Sequence, residues 1–171
     1  MAKILTSALL GVALIATAGC TKKTPTTVLA PGDQPVADGN GGAGMNGDED
    51  TSPLNAQFRR EVSSDTIHFS FDQYDIDPEA RAILDSQASW LAAHPNTRVT
   101  IEGHCDERGT REYNLALGDR RSNAAKNYLA ARGISPARIT TISFGKERPI
   151  ALGSDEASWA QNRRAVTIVI N

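Results

Sequence analysis

Arg98-Val99-Thr100-Ile101-Glu102-Gly103-His104-Cys105-Asp106-Glu107-Arg108-Gly109-Thr110 is the stretch from which the fold is read. Val99 and Ile101 alternate with Thr100, Glu102 and His104, which is the two-residue period of a strand with two different faces. Cys105 has the parity of Val99 and Ile101 and so reads as a small, buried, inert thiol. Asp106 to Thr110 is a charged loop containing Gly109, and Thr110 is placed to cap a long helix that runs to about Arg132 and ends at Gly133. A strand that passes through a polar loop directly into a helix is the building block of an α/β fold.

The same signals extend outward in both directions. Thr66 to Phe71 alternates strictly, predicting a strand with Ile67, Phe69 and Phe71 facing inward. Asp77 caps a helix opened by Pro78, with an apolar stripe of Ala80, Ile83, Leu84, Gln87, Ala88 and Leu91, and His94-Pro95-Asn96 stops it. Downstream, Ile139 to Phe144 reads as a third strand and Asp155 to Asn162 as a short helix. Ala165 to Ile170 is apolar on both faces and therefore predicts a strand inside the sheet. The order β-α-β-α-β-(α)-β predicts a two-layer α/β sandwich. Two polar loops, Asp72 to Ile76 and Asp106 to Thr110, each follow a strand's carboxyl end. If those strands run parallel, both loops meet at one sheet edge, where α/β folds place their ligand crevices.

The long helix carries one side chain that needs a partner. At 100° per residue Asn114, Leu117, Arg121, Ala124 and Tyr128 share a side, and Arg121 lies near the middle of that largely apolar stripe. An unpaired guanidinium there costs several kcal/mol in desolvation. It must reach water, an internal carboxylate such as Asp106 or Asp72, or a bound anion. The planar fork of arginine suits a carboxylate bidentately. With Asp106 about four helical turns away or less, one pocket could offer a cation and an anion together, which suits a zwitterionic amino acid.

The chain is 171 residues long with 18 basic and 20 acidic side chains, enough for one domain and its appendages. Residues 54–171 hold 15 basic and 15 acidic groups and all nine aromatic residues, so the core is placed there. A net charge of −2 argues against a dedicated nucleic-acid binder. At the other end, Met1-Ala2-Lys3 precedes an apolar run from Ile4 to Ala18, too short to span a bilayer comfortably but suited to a secretory signal peptide over residues 1–19. Ala18-Gly19-Cys20 resembles a bacterial lipobox, with Thr17 where leucine is usual. That resemblance implies three acyl chains on Cys20, an effectively permanent membrane attachment. Thr21, rather than Asp, after the cysteine implies sorting to the outer membrane. Residues 21–53 hold six glycines and four prolines and few apolar side chains, predicting a disordered tether after Cys20. As a flexible coil its 33 residues span about 30 Å on average and roughly 110 Å at full extension.

Taken together, the motifs resemble a known family. Val99 to Thr110, Glu112-Tyr113-Asn114, Leu117-Gly118, Arg120-Arg121, Thr141 to Glu147 and Asn162-Arg163-Arg164-Ala165 are similar to the signature of the peptidoglycan-associated lipoproteins, over roughly residues 64–171. The resemblance implies an OmpA-like α/β (α+β) two-layer sandwich with a mixed four-stranded sheet, occupying residues 54–171. It implies non-covalent binding of the diaminopimelate of peptidoglycan stem peptides, with no enzymatic chemistry and no cofactor. By motif, Asp106 takes the ligand's ammonium and Arg121 its carboxylate. Phe71 and Asp72 line the pocket, partly through backbone groups, and Asn114 and Leu117 line it or hold its loop. Partners implied are TolB, competing for an overlapping surface, and TolA. The implied location is the outer membrane, lipid-anchored and facing the periplasm, with a role in envelope integrity and cell division.

Enzyme readings are weaker. His68, His104, Cys105 and Asp106 invite a metal site, but residues 104–106 alternate between strand faces and there is no HExxH or CxxC spacing. No GxSxG elbow appears, and His94 sits beside a helix-terminating proline. Arg163-Arg164 reads as a structural ion pair or a partner contact.

Overall fold

The computed structural model describes residues 52–170. The signal-peptide, Cys20 and most of the tether expectations therefore lie outside the described residues. Among the described residues the elements are α1 (Pro53–Glu61), β1 (Thr66–His68), α2 (Pro78–Ala93), β2 (Arg98–His104), α3 (Arg111–Ala131), β3 (Ile139–Gly145), α4 (Glu156–Asn162) and β4 (Arg164–Ile170), with a 3₁₀ turn at Pro136–Arg138 before β3. The four strands form one mixed sheet in the order β1-β4-β2-β3. β4 is antiparallel to both β1 and β2, and β3 is parallel to β2. β1 and β2 therefore point the same way, so the loops that follow them emerge on one edge.

Caps and stops act where their chemistry predicts. The Asp77 carboxylate accepts from the Ala80 N–H at 2.8 Å, and the Thr110 hydroxyl from the Tyr113 N–H at 3.2 Å. Gly133 ends α3 at φ +92°, a left-handed conformation that costs glycine little. β4 lies inside the sheet, as its two apolar faces predict. The core joins Leu84 and Leu91 of α2, Val99 and Ile101 of β2, Leu129 of α3 and Val169 of β4, with Ile67 and Phe69 at the β1 end.

Three expectations need correction. β1 stops at His68, because Phe69 exchanges hydrogen bonds with Arg163 and the chain beyond it turns out of the sheet. Phe69 stays buried, but Phe71 is 58% exposed instead of facing inward. In α3 the buried stripe runs through Leu117, Gly118, Arg121, Ser122, Ala125 and Leu129, so its second half is one residue later than Ala124 and Tyr128. Finally, α1 was not anticipated. Ser52 caps it, Phe58 packs edge-on against Trp90 at 5.0 Å, and the buried Asn55 side chain accepts the Val169 N–H at 2.9 Å.

A backbone contact fixes the depth of α3. A Cβ on Gly103 would lie 1.8 Å from the Gly118 carbonyl oxygen, and one on Gly118 would lie 2.8 Å from the Gly103 oxygen. Only two glycines let the helix touch the strand this closely. The contact brings Arg121, one turn further along, beneath the carboxyl ends of β1 and β2.

Candidate functional site

Arg121 is fully buried and lies over Phe69, 5.1 Å from the ring centre. Its Nε donates to the Gln73 carbonyl at 2.9 Å, Nη1 to that of His104 at 2.8 Å and Nη2 to that of Ser70 at 3.2 Å. The turn after β1 thus supplies two acceptors and the end of β2 a third. This is why the strand alternation fails after Phe69: the Ser70 and Gln73 carbonyls face the guanidinium instead of a neighbouring strand. Asp72 takes a positive φ of 59° within that turn. Burial pushes the pKa of Arg121 down, yet arginine remains charged in a protein. Among the described residues it forms no ion pair, so the internal bridge to Asp106 or Asp72 that the sequence left open is not made. Its positive charge is solvated by dipoles and is not neutralised.

Asp106 is also buried, but its partners are cations. Arg108 reaches it through Nε at 3.1 Å and Nη2 at 2.6 Å, and the Arg108 N–H adds a further bond at 3.1 Å. Arg163 approaches at 3.4 Å while also pairing with Glu156 at 2.6 Å. Burial raises the Asp106 pKa, but the hydrogen bonds and charge of Arg108, with help from Arg163, outweigh it and hold the carboxyl below its usual range. The loop that carries Asp106 is pinned from outside. Lys146 donates to the Glu107 and Gly109 carbonyls at 3.0 and 2.8 Å, and Asn114 donates to the Arg108 and Thr110 carbonyls at 2.8 and 3.0 Å.

Asp106 and Arg121 open into one cavity of about 200 Å³, and Phe71, Asp72, Asn114 and Leu117 line it with them. All six residues singled out in the sequence are therefore brought together. That is smaller than the pockets that enclose drug-sized ligands and is on the scale of a single small head group. Arg108, Gly109, Tyr113 and Cys105 complete the wall. Cys105 behaves as an inert thiol: its Sγ–H donates to the Asn114 carbonyl at 3.3 Å, and burial pushes its pKa up to about 11. His104, Cys105 and Asp106 point to different partners, with the His104 ring against Phe144 at 5.6 Å.

Residues 68–163 match the OmpA family model. The peptidoglycan-associated lipoprotein of Mesorhizobium japonicum is 45% identical over 157 residues, covering 91% of this chain and 86% of that protein. The chain belongs to the OmpA family, among the peptidoglycan-associated lipoproteins. The lipoprotein of that name from Rhizobium meliloti is 56% identical over 105 residues, which is 61% of this chain and 60% of the relative's length. The crystal structure of the peptidoglycan-associated lipoprotein from Burkholderia pseudomallei superposes with a TM-score of 0.62 at 41% identity, covering 72% of this chain and 98% of that one.

Within this family fold, three site residues escaped sequence reasoning. Arg108 lies between two aromatic rings, 4.1 Å from the centre of Phe71 and 4.0 Å from that of Trp159. The Asp106-x-Arg108 spacing, in which an aspartate accepts from the N–H two residues on, was the available local signal. The Tyr113 hydroxyl donates to the Asp72 carboxylate and ties the first turn of α3 to the turn after β1. Trp159, from α4, also donates to Glu107 at 3.0 Å. Its partner lies 52 residues away, which no local pattern reveals.

Proposed function

We propose that this chain is an outer-membrane lipoprotein that binds, without chemistry, the diaminopimelate of peptidoglycan stem peptides. In this reading Cys20 is the lipidation site, residues 21–53 are the tether, and the domain faces the periplasm. The observation that carries it is a buried, un-neutralised guanidinium sharing one small cavity with a buried carboxylate. The free end of a diaminopimelate side chain is itself an ammonium and a carboxylate on one carbon. Its carboxylate meets Arg121 and its ammonium meets Asp106, while Leu117 covers the methylenes and Phe71 and Asp72 close the side. The names of the relatives, peptidoglycan-associated lipoproteins, support the same class of ligand.

TolB and TolA are the proposed protein partners, giving the chain its place in envelope integrity and cell division as part of the Tol-Pal system. Phe71 and Tyr113, both on the cavity wall, are 58% and 47% exposed. Exposed aromatic side chains at a polar rim are the surface that protein interfaces favour. A partner seated there would cover the mouth, so wall and protein binding would compete.

The test is co-sedimentation of purified sacculi with the wild-type protein and with Asp106→Asn, which removes the charge and keeps the shape. Loss of pelleting in the variant, with an unchanged circular dichroism spectrum, is the expected result. Equal pelleting of both would refute the pocket as the wall-binding site.

A further inference from the structure

Counting donors and acceptors in the cavity shows that its two ends are not equally ready for a guest. A carboxylate has about four lone-pair sites, and a guanidinium has five N–H donors. Arg121 donates three hydrogen bonds to backbone carbonyls, and its two further N–H groups have only the weak acceptor Cys105 Sγ close by, so they can turn to an incoming carboxylate. Asp106 has nothing left. Its Oδ1 accepts from the N–H and Nε of Arg108, and its Oδ2 accepts from Arg108 Nη2 and Arg163 Nη1.

We propose that Arg108 is a resident cation that stands in for the ligand's ammonium and must swing out before a zwitterion can bind. Arg108 is the group able to move: its side chain is 31% exposed, whereas that of Arg163 is 7% exposed and is also fixed by Glu156 and the Phe69 carbonyl. Arg108 supplies two of the three side-chain bonds to Asp106, so its departure frees one acceptor site on each carboxylate oxygen. The Phe71 and Trp159 rings on its two faces hold it over the carboxylate. When it leaves, those faces are free to pack on the ligand. The arrangement makes Arg108 a selectivity device. A guest without a cation cannot replace the charge that Asp106 loses, so neutral and purely anionic molecules are rejected even though Arg121 would accept their acid group.

This inference rests on the diaminopimelate reading, and the experiment separates the two. The affinity of the full chain is measured by calorimetry for an N-terminally blocked stem tetrapeptide containing meso-diaminopimelate and for the same peptide with the side-chain amino group of its diaminopimelate also acetylated. Wild type, Arg108→Gln and Arg108→Lys are compared. Removing the competitor should tighten binding of the free-amine peptide about tenfold in Arg108→Gln, with a smaller gain in Arg108→Lys, which keeps the charge but loses the bidentate grip. The acetylated peptide, which has no ammonium to gain, should bind poorly to all three. Binding to the free-amine peptide that is unchanged or weaker in Arg108→Gln overturns the resident-cation role and leaves the pocket reading standing. If none of the three proteins binds the free-amine peptide, both ideas fail together.

Discussion

The two ends of the cavity hold buried charges by opposite means. At the Arg121 end, three backbone carbonyls from β2 and the turn after β1 solvate the cation without cancelling it. At the Asp106 end, two arginine side chains cancel the anion directly. A charge held by dipoles keeps its field for a guest, whereas a charge held by counter-ions must be released first. The first arrangement is built into the backbone and is rigid. The second depends on side chains and one loop, and it is adjustable.

The contrast is broken most severely by Arg121→Ala. The buried His104 carbonyl would lose its donor at about 1–3 kcal/mol, and the part-buried charged bonds to Ser70 and Gln73 would go with it, so an overall loss of about 4 kcal/mol is expected in urea unfolding. Asp106→Asn should cost only about 1–2 kcal/mol, because Arg163 retains Glu156 and Arg108 can reach water. Similar losses for the two variants would erase the distinction. Gly103→Ala comes next. The added methyl meets the Gly118 backbone, not a flexible side-chain tip, so α3 must retreat at a cost of about 3 kcal/mol. Sacculus binding should fall with it, since Arg121 moves with the helix; destabilisation without any loss of binding would show that the glycine contact does not position the site.

A milder probe sharpens the Asp106 end. Its folded pKa is depressed, so its contribution to stability is complete above the unfolded value near 3.8 and is lost as pH falls through the lower folded value. The stability gap between wild type and Asp106→Asn should therefore stay constant from neutral pH down to about pH 5 and close only in stronger acid. A gap that closes already near neutrality would place the Asp106 pKa above its usual range and contradict the Arg108 pairing.

The parts of the fold governed by local chemistry were legible in advance. Asp77 and Pro78 bound α2, and Thr110 and Gly133 bound α3, because caps and left-handed glycines act within one turn. The interior place of β4 followed from its two apolar faces. Phe71 was misplaced because its alternation continues in sequence, while the backbone carbonyls beside it are diverted to Arg121, 48 and 51 residues away. The α1 helix was hidden by its neighbours, a glycine-rich acidic run, and by a polar Asn55 whose burial depends on the Val169 N–H. Asp106, Arg121 and the four lining residues were gathered by family motif, but the state of their charges was not. Arg108 occupies the carboxylate from only two residues away, but Arg163, which adds the fourth bond, and Trp159, which holds Arg108 in place, arrive from the far end of the chain.

The most direct test of a pocket that grips a zwitterion compares two stem tetrapeptides by calorimetry, one with meso-diaminopimelate and one with lysine at the same position. Both present the ammonium, but only the first presents the carboxylate that Arg121 is placed to receive. Binding to the diaminopimelate peptide at least about tenfold tighter is the expected result. Equal affinity for the two would mean that Arg121 serves only to hold the turn, and the central claim would be wrong.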